Sequence, residues 1–500
     1  MLTRRNLLRL AALAAAWPSL TWAQAKKAKP APGTILVNDV HSQLNSARVF
    51  RIAAPESLEG VRSLLSGARR EARPVCIAGA RHAMGGQQFC ADALMLDTRK
   101  LNRVLSFDSA AGLIEVEAGI QWPQLLAHLQ SAQQGEVGAK WTFAQKQSGA
   151  DRLTIGGSLS ANIHGHGLAM PPFVNDIESF RMVDARGAVR ICSRTENPEL
   201  FRLAVGGFGL FGFVYSVTLR LVPRRKLQRQ VEVRTIPGLA QLLQERISEG
   251  FTYGDFQFAV DPASADFLHR GLLSCYRPVD DALPLPSLQR ELGESDMLEV
   301  LQLAHTAKAD AFKRLAAFHL STDGDIFWSG EHQMSPYPED YHRSIDRKLD
   351  APNKATEAIT ELCCEREALE GLVAEVREYA RRENVNVVSA MVRLVEADTE
   401  TFLSWAQKPY ACLLLNIHIE HTTGGVIRGA DALRRLVDIA LRHRGGYVPT
   451  YHRYALQRQV QVAFPQLPDF IRLKRKYDPT EVYQSEWYRH YKRMFFPDLK

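Results

Sequence analysis

Residues 154–168, TIGGSLSANIHGHGL, gather side chains small enough to let main chain touch a ligand and polar enough to hold one. Gly156 and Gly157 lack the Cβ that would keep a ligand off the backbone. Ser158, Ser160 and Asn162 add short hydrogen-bonding groups, and His164 stands between Ile163 and Gly165. Such a run suits a flat or phosphate-bearing ligand lying against main chain. The plain alternative is a glycine-rich loop between two strands. His164 and His166 are spaced like a pair of metal ligands, but no third ligand at zinc-type spacing accompanies them, so no metal site is expected. Asn416, His418 and Glu420 share one face of a strand by the period of two. Either they face a site, or His418 is a core histidine with its hydrogen bonds satisfied. Residues 207–212, GFGLFG, fit G-x-G-x-x-G by letters. That motif needs a strand before it and a helix after it. Here a helical pattern precedes and the alternating strand 213–219 follows, which excludes a nicotinamide-dinucleotide reading.

The elements that must hold these residues follow from pattern. A chain of 500 residues, 46% hydrophobic and 23% charged, suits a soluble globular protein of two domains. Its net charge of +7 is scattered, with small clusters at 224–226 and 472–476 and no basic run alternating with aromatics, so nucleic acid is not an expected partner. The seven cysteines form no CxxC and no disulfide framework, and Cys363 and Cys364 read as small apolar residues of a helix. Residues 3–9, TRRNLLR, the apolar run 10–17 and AQA at 23–25 give a twin-arginine signal peptide over 1–25. The apolar run is too short to span a membrane. The expected location is the periplasm, reached by the route that carries folded proteins. Residues 26–37 then read as a linker. Helical spacing covers 55–73, 124–130 and 196–205. Strands cover 75–77, 93–96, 101–107, 113–117, two within 174–193, and 213–219. Long helices are expected at 297–318 and 355–382, alternating with strands at 385–394 and 411–419. A helix at 430–442 ends at Gly445-Gly446.

Three segments in this order, 74–87 (PVCIAGARHAMGGQ), 154–168 and 199–223 (ELFRLAVGGFGLFGFVYSVTLRLVP), resemble the FAD-binding domain of the vanillyl-alcohol oxidase / p-cresol methylhydroxylase (PCMH-type) superfamily. The likeness is nearest to aldonolactone and alditol oxidases and to decaprenylphosphoryl-ribose oxidase-like proteins. It covers 38–223, and again 444–491. It implies an α+β fold: a two-subdomain FAD-binding domain at 38–223, an inserted α/β substrate cap at 224–443, and a C-terminal segment, 444–500, returning to the FAD site. It implies FAD as cofactor, with the phosphates held by Gly79, Ala80, Arg81, His82, Ala83, Met84 and Gly85 and by Thr154, Gly156, Gly157 and Ser160. His164 and Gly165 would lie beside the isoalloxazine. Asn162 and Val214 would line the same slot, unless Val214 is plain β core. His82 keeps the spacing of a histidine bonded covalently to the flavin in such oxidases, although Ala83 replaces their serine. The alternative is a histidine that only hydrogen-bonds.

The resemblance also suggests where substrate chemistry lies. The family's Glu-x-Arg is here Met391-Val392-Arg393. Arg393 would steady the reduced ring or bind substrate oxygen, its alternative being a surface pairing with Glu396. His452 falls where relatives place an active-site His or Lys and is the first choice for the base. Tyr451 beside it and His418 follow, the alternative for His452 being a surface loop. Residues 474–479, KRKYDP, match the family's closing signature. The implied activity is oxidation of a CH–OH group of a sugar, polyol, lactone or lipid-linked alcohol by hydride transfer to flavin N5. The acceptor would be quinone-like or oxygen, and the branched Ile163 favours the former. A flavin-dependent C=C reductase and an exported binding protein without catalysis are the other readings.

Overall fold

Short apolar strands open the chain. β1 (Ile35–Val37) and β2 (Ala47–Val49) pair as an antiparallel ribbon. The computed structural model describes residues 34–135, 140–287, 292–335 and 337–498. The expected signal peptide and residues 26–33 of the linker lie outside them, whereas 35–37 are already strand. β3 (Arg51–Ala53), β4 (Val75–Ala78) and β5 (Leu94–Asp97) form a parallel sheet in the order β3–β5–β4. Helix Leu58–Arg70 joins β3 to β4, burying Val61, Leu65 and Ala68, and Ser57 caps it by accepting from the Gly60 N–H at 3.1 Å.

A second layer contains β6 (Val104–Asp108), β7 (Leu113–Glu117), β9 (Ile177–Val183), β10 (Val189–Ser193) and β11 (Phe213–Arg220). They form an antiparallel sheet ordered β10–β9–β11–β7–β6, and β8 (Trp141–Thr142) pairs with β12 (Val222–Pro223) beside it. The remaining strands make one eight-stranded antiparallel sheet: β13 (Lys226–Thr235), β14 (Tyr253–Phe258), β15 (Arg270–Pro278), β16 (Ile326–Trp328), β17 (Ala355–Glu365), β18 (Val387–Val395), β19 (Tyr410–Glu420) and β20 (Gly446–Tyr447). Their order is β16–β13–β15–β14–β18–β19–β17–β20. β20 belongs to the segment expected to return to the FAD site, so this sheet crosses the boundary placed at 443. The same segment bridges Tyr483 to Val75 of the parallel sheet. From Ile35 onward the chain is one compact unit. No helix among the described residues is long and apolar enough to cross a membrane.

Two long helices expected from the sequence are not formed as read. Residues 297–318 are two helices, Glu294–Thr306 and Lys308–Ser321, broken at Ala307, whose backbone is non-helical (φ −154°, ψ 70°). Alanine gives no warning of such a break. Residues 355–382 begin with β17, and only Leu369–Arg382 is helix. β17 is buried on both faces, so its apolar residues show no period of two, and its alanines and glutamates favour helix by propensity. Cys363 and Cys364 are therefore strand residues, buried as expected.

Candidate flavin and substrate site

β4 ends at Ala78, and the turn that follows supplies unusual main chain. Arg81 is left-handed (φ 62°), and the N–H groups of Ala80, Arg81, His82 and Ala83 make no hydrogen bond among the described residues. Consecutive free N–H groups around a left-handed residue form a concave anion nest. The turn is pinned from outside itself. The Arg81 carbonyl accepts from the Val40 N–H at 3.0 Å, the Met84 N–H donates to the Thr450 carbonyl at 3.3 Å, and the Gly85 N–H donates to Gln87 Oε1 at 2.8 Å. Gly79 is required by packing: a Cβ there would lie 2.2 Å from Thr154 Oγ1.

The second glycine-rich segment works differently from expectation. Residues 155–161 are a helix (Ile155–Ala161), capped by Thr154. Its first N–H groups are already used: Ile155 to the Ile120 carbonyl at 2.9 Å, Gly156 to the Ala118 carbonyl at 2.7 Å, Gly157 to Thr154 Oγ1 at 3.2 Å. Gly156 and Gly157 therefore do not offer main-chain donors to a phosphate. Docking of the helix start against the end of β7 consumes them. With Ser160, Ile163 and Val214 they form a flat wall of the cavity. Asn162, expected to line the slot, is structural instead. It ends the helix in the left-handed region (φ 45°), donates to Asp398 Oδ2 at 2.9 Å and accepts from the Val174 N–H at 2.9 Å.

The cavity between nest, wall and the eight-stranded sheet measures about 740 Å³. His82 lines it. His82 Nδ1 lies 2.8 Å from His41 Nε2, while its Nε2 is buried without a partner. Burial, reinforced by His41, holds the His82 pKa well below its ordinary value, so the ring is neutral. His164 and Gly165 do not line the cavity. His164 turns to the sheet, its Nε2 2.7 Å from Glu361 Oε1, and Gly165 packs against Lys146 main chain. His166 lines the cavity instead, stacked on His332 at 5.5 Å. The two histidines of the H-x-H pair thus face different partners.

On the sheet, antiparallel register sets side chains in rows. Gln257, Met391, Leu414 and Glu361 lie across β14, β18, β19 and β17. Arg393 is 2% exposed, and its Nε and Nη1 have no partner among the described residues. Its Nη2 meets Met391 Sδ at 2.9 Å. It makes no pair with Glu396, which binds Arg366 at 2.6 Å. Glu361, missed from the sequence, is fully buried. Burial pushes its pKa up, but His164 and Arg393 outweigh that and hold it below the ordinary value. Glu361 thus sits on β17, two strands from Met391, against Tyr451 and without itself lining the cavity. Tyr451 lines the cavity beside Glu361, and its hydroxyl accepts from Gln147 Nε2 at 3.1 Å. Burial and Glu361 push the phenol pKa well above the ordinary value. Lys146, also missed, is buried with its Nζ 2.7 Å from Asp151 Oδ1.

His452 needs correction as a candidate base. Side chains alternate along β17. Glu357 and Ile359 line the cavity, Glu361 continues their row beyond its lining, and Thr360 takes the other face. His452 Nε2 lies 3.2 Å from Thr360 Oγ1, its ring stacks on Tyr447, and it does not line the cavity. Burial lowers its pKa to about 4. Of the expected strand face, Asn416 lines the cavity, His418 lies 3.4 Å from Glu357 Oε1, and Glu420 is exposed. Asp478 of the closing signature is structural, accepting from the Val482 and Tyr483 N–H groups at 2.9 Å. Glu361 left one trace in the sequence, a carboxylate inside an apolar run.

Comparison with known proteins agrees with the nest and the wall. Residues 51–193 match the model of the FAD binding domain family. The chain is 29% identical to L-gulonolactone oxidase of Bos taurus over 196 residues, 39% of this chain and 42% of that protein. It is 29% identical to L-gulono-1,4-lactone dehydrogenase of Mycobacterium tuberculosis over 245 residues, 49% of this chain and 53% of that protein. Cytokinin dehydrogenase 3 of Oryza sativa is 30% identical over 178 residues, 35% of this chain and 32% of that protein. The chain thus spans about half the length, or less, of these curated relatives. It carries an FAD-binding domain of the PCMH-type fold. Two of these relatives carry the names of aldonolactone oxidases or dehydrogenases, the group the resemblance pointed to.

The residues present fit FAD: a nest for anionic phosphates, a flat wall of small residues, and an unpaired guanidinium in the same cavity.

Proposed function

We propose that this protein oxidises a CH–OH group with FAD as the hydride acceptor. The observation that carries the reading is Arg393, a buried guanidinium with two unpartnered nitrogens in a cavity that also holds the anion nest. When bound, FAD supplies hydride-accepting chemistry. The chain's residues do the rest. Ala80 to Ala83 hold the pyrophosphate by main chain. Arg393 binds the substrate oxygen or steadies negative charge on the reduced ring. Tyr451 orients the substrate hydroxyl, and the Glu361 carboxylate behind it, held by His164, takes the proton. His82, with its orphan Nε2, is the proposed covalent attachment point.

Residues 224–443 serve as the substrate cap. The substrate class follows the two relatives whose names specify gulonolactones. The cavity, however, continues between helices Glu294–Thr306 and Lys308–Ser321, past Met297, Leu301, Phe312 and Leu315. That apolar arm suits an amphipathic alcohol or a quinone-like acceptor better than water. The twin-arginine pattern at 1–25 supports a periplasmic location, and the bulk of Ile163 supports a quinone-like acceptor over oxygen.

Anaerobic mixing with a panel of sugar lactones, polyols and long-chain alcohols tests the activity. Bleaching of the oxidised-flavin bands by at least one CH–OH donor is expected. Colourless protein that FAD cannot reconstitute would refute the cofactor reading. Stable yellow colour against the whole panel would refute the activity.

A further inference from the structure

At the edge of the cavity, three side chains from three elements converge. His305 ends helix Glu294–Thr306, Glu357 is on β17, and His418 is its direct cross-strand partner on β19. Their ligand atoms all lie within 4.8 Å of one another. Glu357 Oε1 is 3.1 Å from His305 Nε2 and 3.4 Å from His418 Nδ1, and Tyr341 donates to Oε2 at 2.5 Å. His305 is 2% exposed at its side chain, and its Nε2, though close to the carboxylate, is out of hydrogen-bond alignment with any partner. In a tetrahedral zinc site, metal–ligand distances of about 2.0–2.1 Å put ligand atoms about 3.3–3.4 Å apart. The two separations from Glu357 Oε1, 3.1 and 3.4 Å, are close to that spacing, and the two histidine nitrogens lie within 4.8 Å of each other.

From this geometry we infer a site for one divalent transition-metal ion of the zinc class, held by His305, Glu357 and His418. Two imidazoles and one carboxylate with a position left open is a donor set that zinc accepts. The open position lies beside Tyr341, which with Glu357 lines the cavity. The ion would tie helix Glu294–Thr306, one wall of the apolar arm, to the sheet. It shares the cavity with the nest and Arg393 but uses none of their residues, and it does not depend on the proposed oxidation.

The test uses the flavin-loaded full chain after dialysis against chelator. Titration with Zn²⁺ is followed by calorimetry, and Co²⁺ by its visible ligand-field bands. One equivalent is expected to bind, with a rise in Tm that grows with free metal. X-ray absorption of the zinc-loaded wild type is expected to show two imidazole ligands. Glu357→Gln and His418→Ala should each weaken binding by roughly 100-fold or more, since even outer-shell partners cost about 10–100-fold, while an unchanged flavin spectrum confirms that the variants fold. Wild-type protein that binds no Zn²⁺ at about 1 mM, where affinity is only about −4 kcal/mol, would overturn the inference. So would zinc without imidazole ligands, or binding unaltered in the variants.

Discussion

The flavin cradle and the substrate face of the eight-stranded sheet are built on opposite plans. The cradle uses main chain. Four consecutive N–H groups at 80–83 and a wall of small residues at 154–163 come from two short local segments. The substrate face uses side chains brought together across strands: Arg393 from β18 and Tyr451 from the return segment line the cavity, with Glu361 of β17 and Lys146 buried behind them. Local spacing therefore encodes the first and register encodes the second. Damage to the first is expected to change flavin binding, and damage to the second to change turnover.

Replacing Arg393 should break turnover most. Arg393→Ala is expected to slow flavin reduction by roughly 10²–10³-fold, the loss typical of one charge-stabilising group, with flavin content unchanged and Arg393→Lys partly restoring the rate. Stopped-flow absorbance and the flavin-to-protein ratio check both halves. Loss of flavin together with activity would place Arg393 in the cradle instead.

His82→Ala sharpens the cradle side. Acid precipitation of wild-type protein should leave yellow colour in the pellet, and the variant should release its flavin to the supernatant. Full release from wild type would reduce His82 to an ordinary contact.

Asp176 gives a pH-dependent test within the FAD-binding region. Burial pushes its pKa up from 3.8 to about 7, and Oδ2 has no partner among the described residues. Because the folded pKa is the higher one, the folded form keeps its proton while the unfolded chain loses it. Stability therefore falls as pH rises from about 4 to about 7. Asp176→Asn should leave Tm near pH 4 almost unchanged and stabilise at pH 8 by on the order of 4 kcal/mol, from a rise of about three pKa units at about 1.4 kcal/mol each. Equal effects at both pH values would mean that packing, not charge, is responsible.

The smallest change is expected at Ile163, buried in the cavity wall. Ile163→Gly should speed reoxidation by oxygen severalfold and leave reduction alone, as oxygen electrode and stopped-flow traces would show. An unaltered oxygen rate would remove bulk at this position as the barrier.

What was legible follows the same division. Most strands of the first two sheets and the cradle turn could be read because each rests on short-range pattern: apolar strands and glycine where packing demands it, whereas β3 and the pairing of the strands could not. Within the cradle, the N–H groups of 155–157 were misassigned because the docking of that helix on Ala118 and Ile120 is a tertiary contact. β17 was misread as helix because burial on both faces erases its alternation. Glu361 disappeared with it, and Met391 looked like a missing acid. His452 was misplaced for a related reason. The resemblance put it where relatives place an active-site residue, but here its ring turns to Thr360 and Tyr447, away from the cavity that Tyr451 lines.

The face of β17 therefore decides the chemistry, and one comparison tests it directly. Stopped-flow reduction of the flavin should be slowed by about 10²-fold in Glu361→Gln, as for a lost general base, and little changed in His452→Ala, which should only lower Tm. Slowing by His452→Ala with Glu361→Gln at the wild-type rate would contradict the account.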